Sequence, residues 1–289
     1  MADAATATRH RQARSKLLAH ALLILGVLIF AFPIWIALMG STHDASTLGR
    51  GEVPLLPGPD AVENYVTAWT QGGGRMRTTP AWVMLWNSAL MALIIAVGKI
   101  TISMLSAFAV VFFRFPFRMT CFWLIFITLM LPVEVRLIPT FQVMVDLRLT
   151  DTMTGLTLPL IASATATLLF RQFFLTIPDE LAEAARLDGA GPLRFLRDVV
   201  LPLSRNSIAA LFVILFIYGW NQYLWPLLVT TKDSMQTIVI AIKKMIVTSD
   251  ALTEWQLAMA TAMLAMLPPV LVVILMQRLF VKGLVETEK

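Results

Sequence analysis

Residues 178–202 read PDELAEAARLDGAGPLRFLRDVVLP, a polar stretch inside a chain that is otherwise largely apolar. Asp179, Glu180 and Glu183 open a helix at the end where acids favour the positive pole of its dipole. The small residues Ala182, Ala184 and Ala185 let another surface approach closely. Gly189 suits a helix C-cap, and Pro192 suits the first turn of a second short helix. Pro202 then stops that helix. The stretch predicts a compact, charged helix–turn–helix knob held between apolar segments.

The apolar context is that of a membrane. Of 289 residues, 58% are hydrophobic and 14% charged, too few charges to cover a soluble domain of this length. At about 20 residues per crossing, the sequence predicts an all-α membrane protein with six transmembrane helices. These are Leu17–Met39, Ser88–Phe113, Met119–Val135, Leu156–Leu175, Ile208–Val229 and Leu257–Val281. The third is the weakest, since it meets Pro132, Glu134 and Arg136, and Leu137–Leu149 is expected to follow as an amphipathic surface helix. The first follows a basic lead (Arg9, Arg11, Arg14, Lys16), is too long for a signal-peptide core and has no cleavage site close behind it, so it reads as a retained span.

Orientation follows from basic residues. Fourteen of the 23 Lys and Arg fall on the side that holds both termini, the Arg114/Arg118 loop and the knob; eight, including Arg136, fall opposite, and Lys99 lies within a span. The richer side is the cytoplasmic one, so both termini and the knob are expected there. The organisation is then a cytoplasmic tail at 1–16, the first span at 17–39, an external loop at 40–81, a five-helix core at 82–281 containing the loop 178–204, and a cytoplasmic tail at 282–289. The loop at 40–81, rich in Pro and Gly, is a candidate for contact with a soluble partner, with flexible surface as the other and commoner reading.

The knob resembles the EAA motif of permeases in importer-type ABC transporters: Glu-Ala-Ala, three residues, Gly, nine residues, then Ile-x-Leu-Pro. Glu183-Ala184-Ala185 is followed at that spacing by Gly189 and by Val199-Val200-Leu201-Pro202, with Val199 in place of Ile. FRFPFR (113–118) and WNQYLWPLL (220–228) are similar to the shorter six-span permeases of maltose-type carbohydrate importers. GKITISMLSAFAVVFFRFPFR (98–118) and FITLMLPVEVRLIPTF (126–141) resemble the permeases of importers for sn-glycerol-3-phosphate.

The resemblance implies a MetI-like permease core in the bacterial inner membrane. It implies that the knob docks into a cleft on an ATPase through Glu183, Ala184, Ala185, Asp188, Gly189, Leu201 and Pro202. The partners implied are a second, related permease forming a heterodimer, two ATPase subunits, a soluble extracytoplasmic substrate-binding protein and membrane lipid. ATP and Mg are used on the ATPase, so no cofactor is expected on this chain and no enzymatic activity of its own. The mechanism implied is alternating access, and the substrate sn-glycerol-3-phosphate together with glycerophosphodiesters. A maltose-like oligosaccharide is the alternative within the class.

The residues agree on several points independently. No Gly-x-x-x-x-Gly-Lys-Ser/Thr loop is present, so ATP is not bound by that device. His10, His20 and His43 are scattered, no metal-ligand spacing occurs, and Cys121 is the single cysteine. No basic run with interleaved aromatics points to nucleic acid. A secondary transporter would carry ion-coupling carboxylates within its spans, and the central stretches of all six lack them. Lys99, in mid-span, is a candidate for the substrate pathway, because intramembrane cations face a bundle interior or a watery path; pairing or snorkelling is the other reading. Asn221 and Tyr223 join it as candidates: Asn221 and Gln222 are costly in lipid, and Pro226 is expected to open the helix near them. Arg171 is expected to snorkel, and Pro268-Pro269 to kink the last span.

Overall fold

The computed structural model describes residues 2–52, 54–128, 133–246 and 253–285, and among them every regular element is helical. The chain opens with α1 (Ala2–Gly40). Its apolar part, Lys16–Gly40, is exposed along nearly its whole length, with Phe30 83% accessible. A helix that is apolar on all sides is suited to a hydrocarbon environment. Its C-terminal end is gripped: the Trp35 indole donates to the Leu55 carbonyl at 3.1 Å, Met39 is buried and Gly40 sits against Met259.

Residues 41–80 are more ordered than a flexible loop. They contain α2 (Ala45–Gly49), N-capped by Asp44, and α3 (Ala61–Thr70). Asn64 donates to the carbonyls of Ser41 and His43 at 3.1 and 2.8 Å. Glu254 accepts from the Gly74 amide at 2.8 Å and pairs with Arg77. These contacts tie the segment back onto the body of the protein.

The axis of the molecule is α4 (Ala81–Phe112), 32 residues long and so about 48 Å from end to end. At its start, Asn87 donates to the carbonyls of Ser234 and Gln236, and Ser88 Oγ accepts from the Ile238 amide. At its end, Phe108 and Phe112 enter an aromatic cluster. Next come α5 (Arg118–Ile127) and α6 (Val133–Asp146). The expected third span, Met119–Val135, is therefore not one helix. Ten residues of α5 reach about 15 Å, half a hydrocarbon core, and 129–132 lie outside the described residues. Through Leu137, Phe141 and Met144, α6 packs on a core of Met91, Ile95, Leu156, Trp225 and Val229.

The expected fourth span, Leu156–Leu175, is broken. α7 (Met153–Thr157) and a 3-10 turn at Leu158–Leu160 lead to α8 (Ala164–Phe174), with a bend of 50° between them. Ser163 caps α8 by accepting from the Ala166 amide, and Pro159 restarts the chain ahead of it. The knob follows as α9 (Asp179–Leu187), α10 (Pro192–Phe195), a π turn at Leu196–Val200 and α11 (Leu201–Leu203). Pro202 does not end this run as expected. It has no N–H to give, the preceding turn widens to π, and the helix continues to Leu203. It then bends by 76° at Ser204 into α12 (Arg205–Trp220).

The expected fifth span, Ile208–Val229, opens at Asn221–Tyr223 rather than at Pro226, and α13 (Leu224–Val229) begins beyond it. Pro226 sits in the first turn of α13, where a missing donor costs nothing. The chain ends with α14 (Ile238–Ile246) and α15 (Trp255–Val285), which runs unbroken through Pro268 and Pro269. Among the described residues, three helices are long and apolar enough to cross a membrane, or up to five when each bent pair is one crossing. The expected sixth span, Leu257–Val281, is among them, and the expected third, Met119–Val135, is not. The expected tails at 1–16 and 282–289 fall largely outside the described side chains, and 286–289 outside the described residues altogether.

Candidate functional site

Two places collect the residues that the sequence singles out. The first is the knob. Asp179 and Glu180 lie in the first turn of α9, and Ala182 and Ala185 turn inward onto the main core. The helix closes in a Schellman motif: the Ala190 amide donates to the Ala185 carbonyl at 2.8 Å and the Gly189 amide to Arg186 at 3.0 Å. Gly189 takes φ +73°, and a Cβ there would meet nothing within 4 Å. Its glycine is thus required by backbone conformation, not by space inside this chain.

Of the expected docking residues, Glu183, Ala184, Asp188, Gly189 and Pro202 are exposed, whereas Ala185 and Leu201 are half-buried and pack inward. Two residues that the sequence reading missed stand out beside them. Leu187 is 88% exposed and Leu193 76% exposed, apolar tips on an otherwise charged surface. Their signal was present in the sequence: a leucine directly before the C-cap and another directly after Pro192 have no inward face to occupy.

An aromatic clasp fastens the knob to α4. Phe195 meets Phe112 edge-on at 5.2 Å between centroids and Phe108 at 6.2 Å, while Phe174 lies 6.0 Å from Phe112. Between the clasp and α9 is a small apolar hollow of about 170 Å³, lined in part by Ala182, Ala185 and Pro192.

The second place is a cavity of about 410 Å³ lined by residues of α4, α5, α6, α8 and α12. Lys99 lies in it, only 7% exposed, with its Nζ 3.8 Å from the centre of the Tyr218 ring. It neither snorkels nor forms an ion pair with a described residue. Arg136, counted from sequence among the external cations, faces the same cavity. Hydroxyls from Ser106, Thr128, Thr140, Ser163, Thr165 and Thr167 complete the polar lining, and no acidic residue is among the described lining residues. Ser163 and Ala164 bring the N-terminus of α8 to the wall, a position of positive potential.

Asn221 and Tyr223 do not line this cavity. Asn221 is exposed at the end of α12, and Tyr223 is met by the ammonium of Lys243. The guanidinium of Arg171 lies 4.6 Å from the Phe122 ring centre.

Residues 99–286 match the family described as "Binding-protein-dependent transport system inner membrane component". The chain is 61% identical over 275 residues, 95% of its length and 98% of the relative's, to the "sn-glycerol-3-phosphate transport system permease protein UgpE" of Brucella melitensis biotype 1. It is 56% identical over 270 residues, 93% of its length and 96% of the relative's, to the protein of the same description from Salmonella choleraesuis. In fold it is similar to a chain of a bacterial ABC transporter involved in the import of the acidic polysaccharide alginate. The TM-score is 0.79 at 22% identity, covering 91% of this chain and 95% of that one.

Proposed function

The chain belongs to the family of binding-protein-dependent transport system inner membrane components, and on that premise we propose that it is a permease subunit importing sn-glycerol-3-phosphate. The observation that carries the substrate is 61% identity maintained over 95% of the chain with a permease described for that solute. A cavity lined by two cations and no described acid supports it further, since a phosphate ester is an anion and a neutral sugar such as maltose is not.

The permease pairs with a second, related permease. Two ATPase subunits dock on the cytoplasmic side and a soluble binding protein delivers substrate from outside. Six crossings with both termini in the cytoplasm fit the distribution of lysine and arginine. ATP and Mg are used on the ATPase, and this chain contributes no hydrolysis.

Coupling runs through the knob. Glu183, Ala184, Asp188, Gly189 and Pro202 present the outward surface, with Leu187 and Leu193 as apolar anchors, and Ala185 and Leu201 hold that surface on the core. Closure of the ATPase pair moves the knob, and the Phe195–Phe112–Phe108 clasp passes the motion to α4. Lys99 is nine residues from Phe108 on the same helix, about 13 Å away. A rigid displacement at the knob therefore shifts the cavity wall. Lys99 takes the substrate pathway directly, and Asn221 and Tyr223 take it at the break between α12 and α13.

The test is ATP hydrolysis by the reconstituted complex of this chain, its sister permease, the ATPase and the loaded binding protein. Stimulation by glycerol-3-phosphate and not by maltose is the expected result. Stimulation by maltose alone would keep the coupling and discard the substrate.

A further inference from the structure

We infer that the cavity between α4, α5, α6 and α8 is an anion site in which Lys99 and Arg136 together hold the phosphate group of the carried ester. The inference rests on the reading of this chain as a phosphate-ester permease and extends it, by giving this subunit a direct hold on the substrate and Arg136 a role.

Three observations point the same way. Two cations face one cavity whose described lining contains no carboxylate, an arrangement in which each cation disfavours the other until an anion enters. A phosphate monoester carries between one and two negative charges near neutral pH, which two cations match and one does not. The remaining wall is polar: the N-terminus of α8 stands beside the hydroxyls of Thr140 and Thr165, while Ser106 and Thr128 donate theirs to the carbonyls of Ile102 and Ile125. At about 410 Å³ the cavity falls within the range of small-molecule sites, roughly 300–1,000 Å³.

The same chemistry could be met by the headgroup of an anionic phospholipid. Depth favours the carried solute. On α4, Lys99 is about 27 Å from Ala81 and about 20 Å from Phe112 along the helix axis, whereas headgroups occupy the two faces of a bilayer. The arginine brings a planar fork for two phosphate oxygens and the lysine a single point charge. Tyr218, itself on the cavity wall, places its ring 3.8 Å from that point charge.

The test uses the full complex in vesicles of phosphatidylcholine alone and of phosphatidylcholine with phosphatidylglycerol. Labelled glycerol-3-phosphate uptake and ATP hydrolysis are measured together for wild type, Lys99→Met, Arg136→Met, the double variant and Lys99→Arg. Uptake per ATP hydrolysed is expected to fall about tenfold for each single methionine, further for the pair, and alike in both vesicles, while Lys99→Arg retains most of it. Unchanged uptake per ATP in the double variant overturns the inference. A loss confined to vesicles containing phosphatidylglycerol also overturns it, by assigning the cavity to a lipid headgroup. Should Lys99→Met fail to accumulate, Arg136→Met carries the test, because that side chain is exposed and its loss leaves no buried hole. A wild-type complex that does not respond to glycerol-3-phosphate overturns the substrate reading itself, and this is seen before any variant is compared.

Discussion

The ammonium of Lys99 lies 3.8 Å from the centre of the Tyr218 ring, which joins the middle of α4 to α12 through one charged contact. A desolvated cation over an aromatic face is stabilised by about 2 kcal/mol. Tyr218→Phe keeps the face and is expected to leave the melting temperature of the purified complex unchanged. Tyr218→Leu removes it, leaves a buried cation without its ring, and is expected to lower that temperature by several degrees. Equal melting of the two variants would show that the ring only packs.

The same two helices meet at a glycine. A Cβ on Gly219 would stand 2.8 Å from the Ala92 Cα, so α12 approaches the backbone of α4 as closely as small residues allow. Gly219→Ala is expected to push the helices apart and lower the yield of folded, detergent-extracted protein. Gly26 is the control, since a Cβ there meets nothing within 4 Å. Gly26→Ala is expected to be neutral, and size-exclusion profiles of both variants decide the matter.

Much of the knob was legible because its chemistry is local. Acids in the first turn of α9, Gly189 at the C-cap and Pro192 at the next helix start each act within a few residues of chain. Hydropathy, by contrast, counts residues and not helical continuity. It read Leu156–Leu175 as one span, although Pro159 and the N-cap Ser163 were both visible in the sequence. The anion-facing cavity was half-legible. Lys99 announced itself as a charge inside an apolar run, but Arg136 was counted among the external cations. What places Arg136 is the packing of Phe141 and Met144 on Met91 and Ile95, side chains some fifty residues away, to which no local pattern refers. The clasp between Phe195 and Phe112 was invisible for the same reason.

Asp151 fastens the α12–α14 side of the molecule to the segment before α7. Its carboxylate accepts from the Thr231 amide at 2.6 Å, the Thr231 hydroxyl at 2.6 Å and the Lys232 amide at 2.9 Å. Burial acts to raise its pKa, but these hydrogen bonds and the charge of Lys232 outweigh burial, so the carboxyl lies below its ordinary value. A carboxylate with a lowered folded-state pKa stabilises fully above its unfolded value, near 4, and loses that contribution as pH falls through the folded value. Asp151→Asn is expected to speed hydrogen exchange at the Thr231 and Lys232 amides at neutral pH. The difference from wild type should shrink only under strongly acidic conditions. Exchange unaltered at pH 7 would mean that the turn is held by its neighbours.

The knob's surface separates two requirements that sequence alone merges. Gly189 holds φ +73° with open space around its Cα, so any L-residue there meets strain of about 1–2 kcal/mol and no clash within the chain. Asparagine tolerates that conformation and valine does not. Gly189→Asn is therefore expected to insert and retain the ATPase nearly as wild type, and Gly189→Val to insert but retain it poorly. If both lose the ATPase equally, the partner surface excludes any side chain at 189 and backbone strain is irrelevant. Leu187, 88% exposed, tests the surface without touching the backbone. Leu187→Asp leaves the fold of α9 intact, because the side chain packs on nothing, and places a charge where an apolar anchor meets its partner. Loss of one such anchor is worth about tenfold or more in affinity. Co-purification of the ATPase from membranes should fall accordingly, with this chain's own membrane level unchanged. Undiminished co-purification with Leu187→Asp would place the docking contact on the charged face of Glu183 and Asp188 instead.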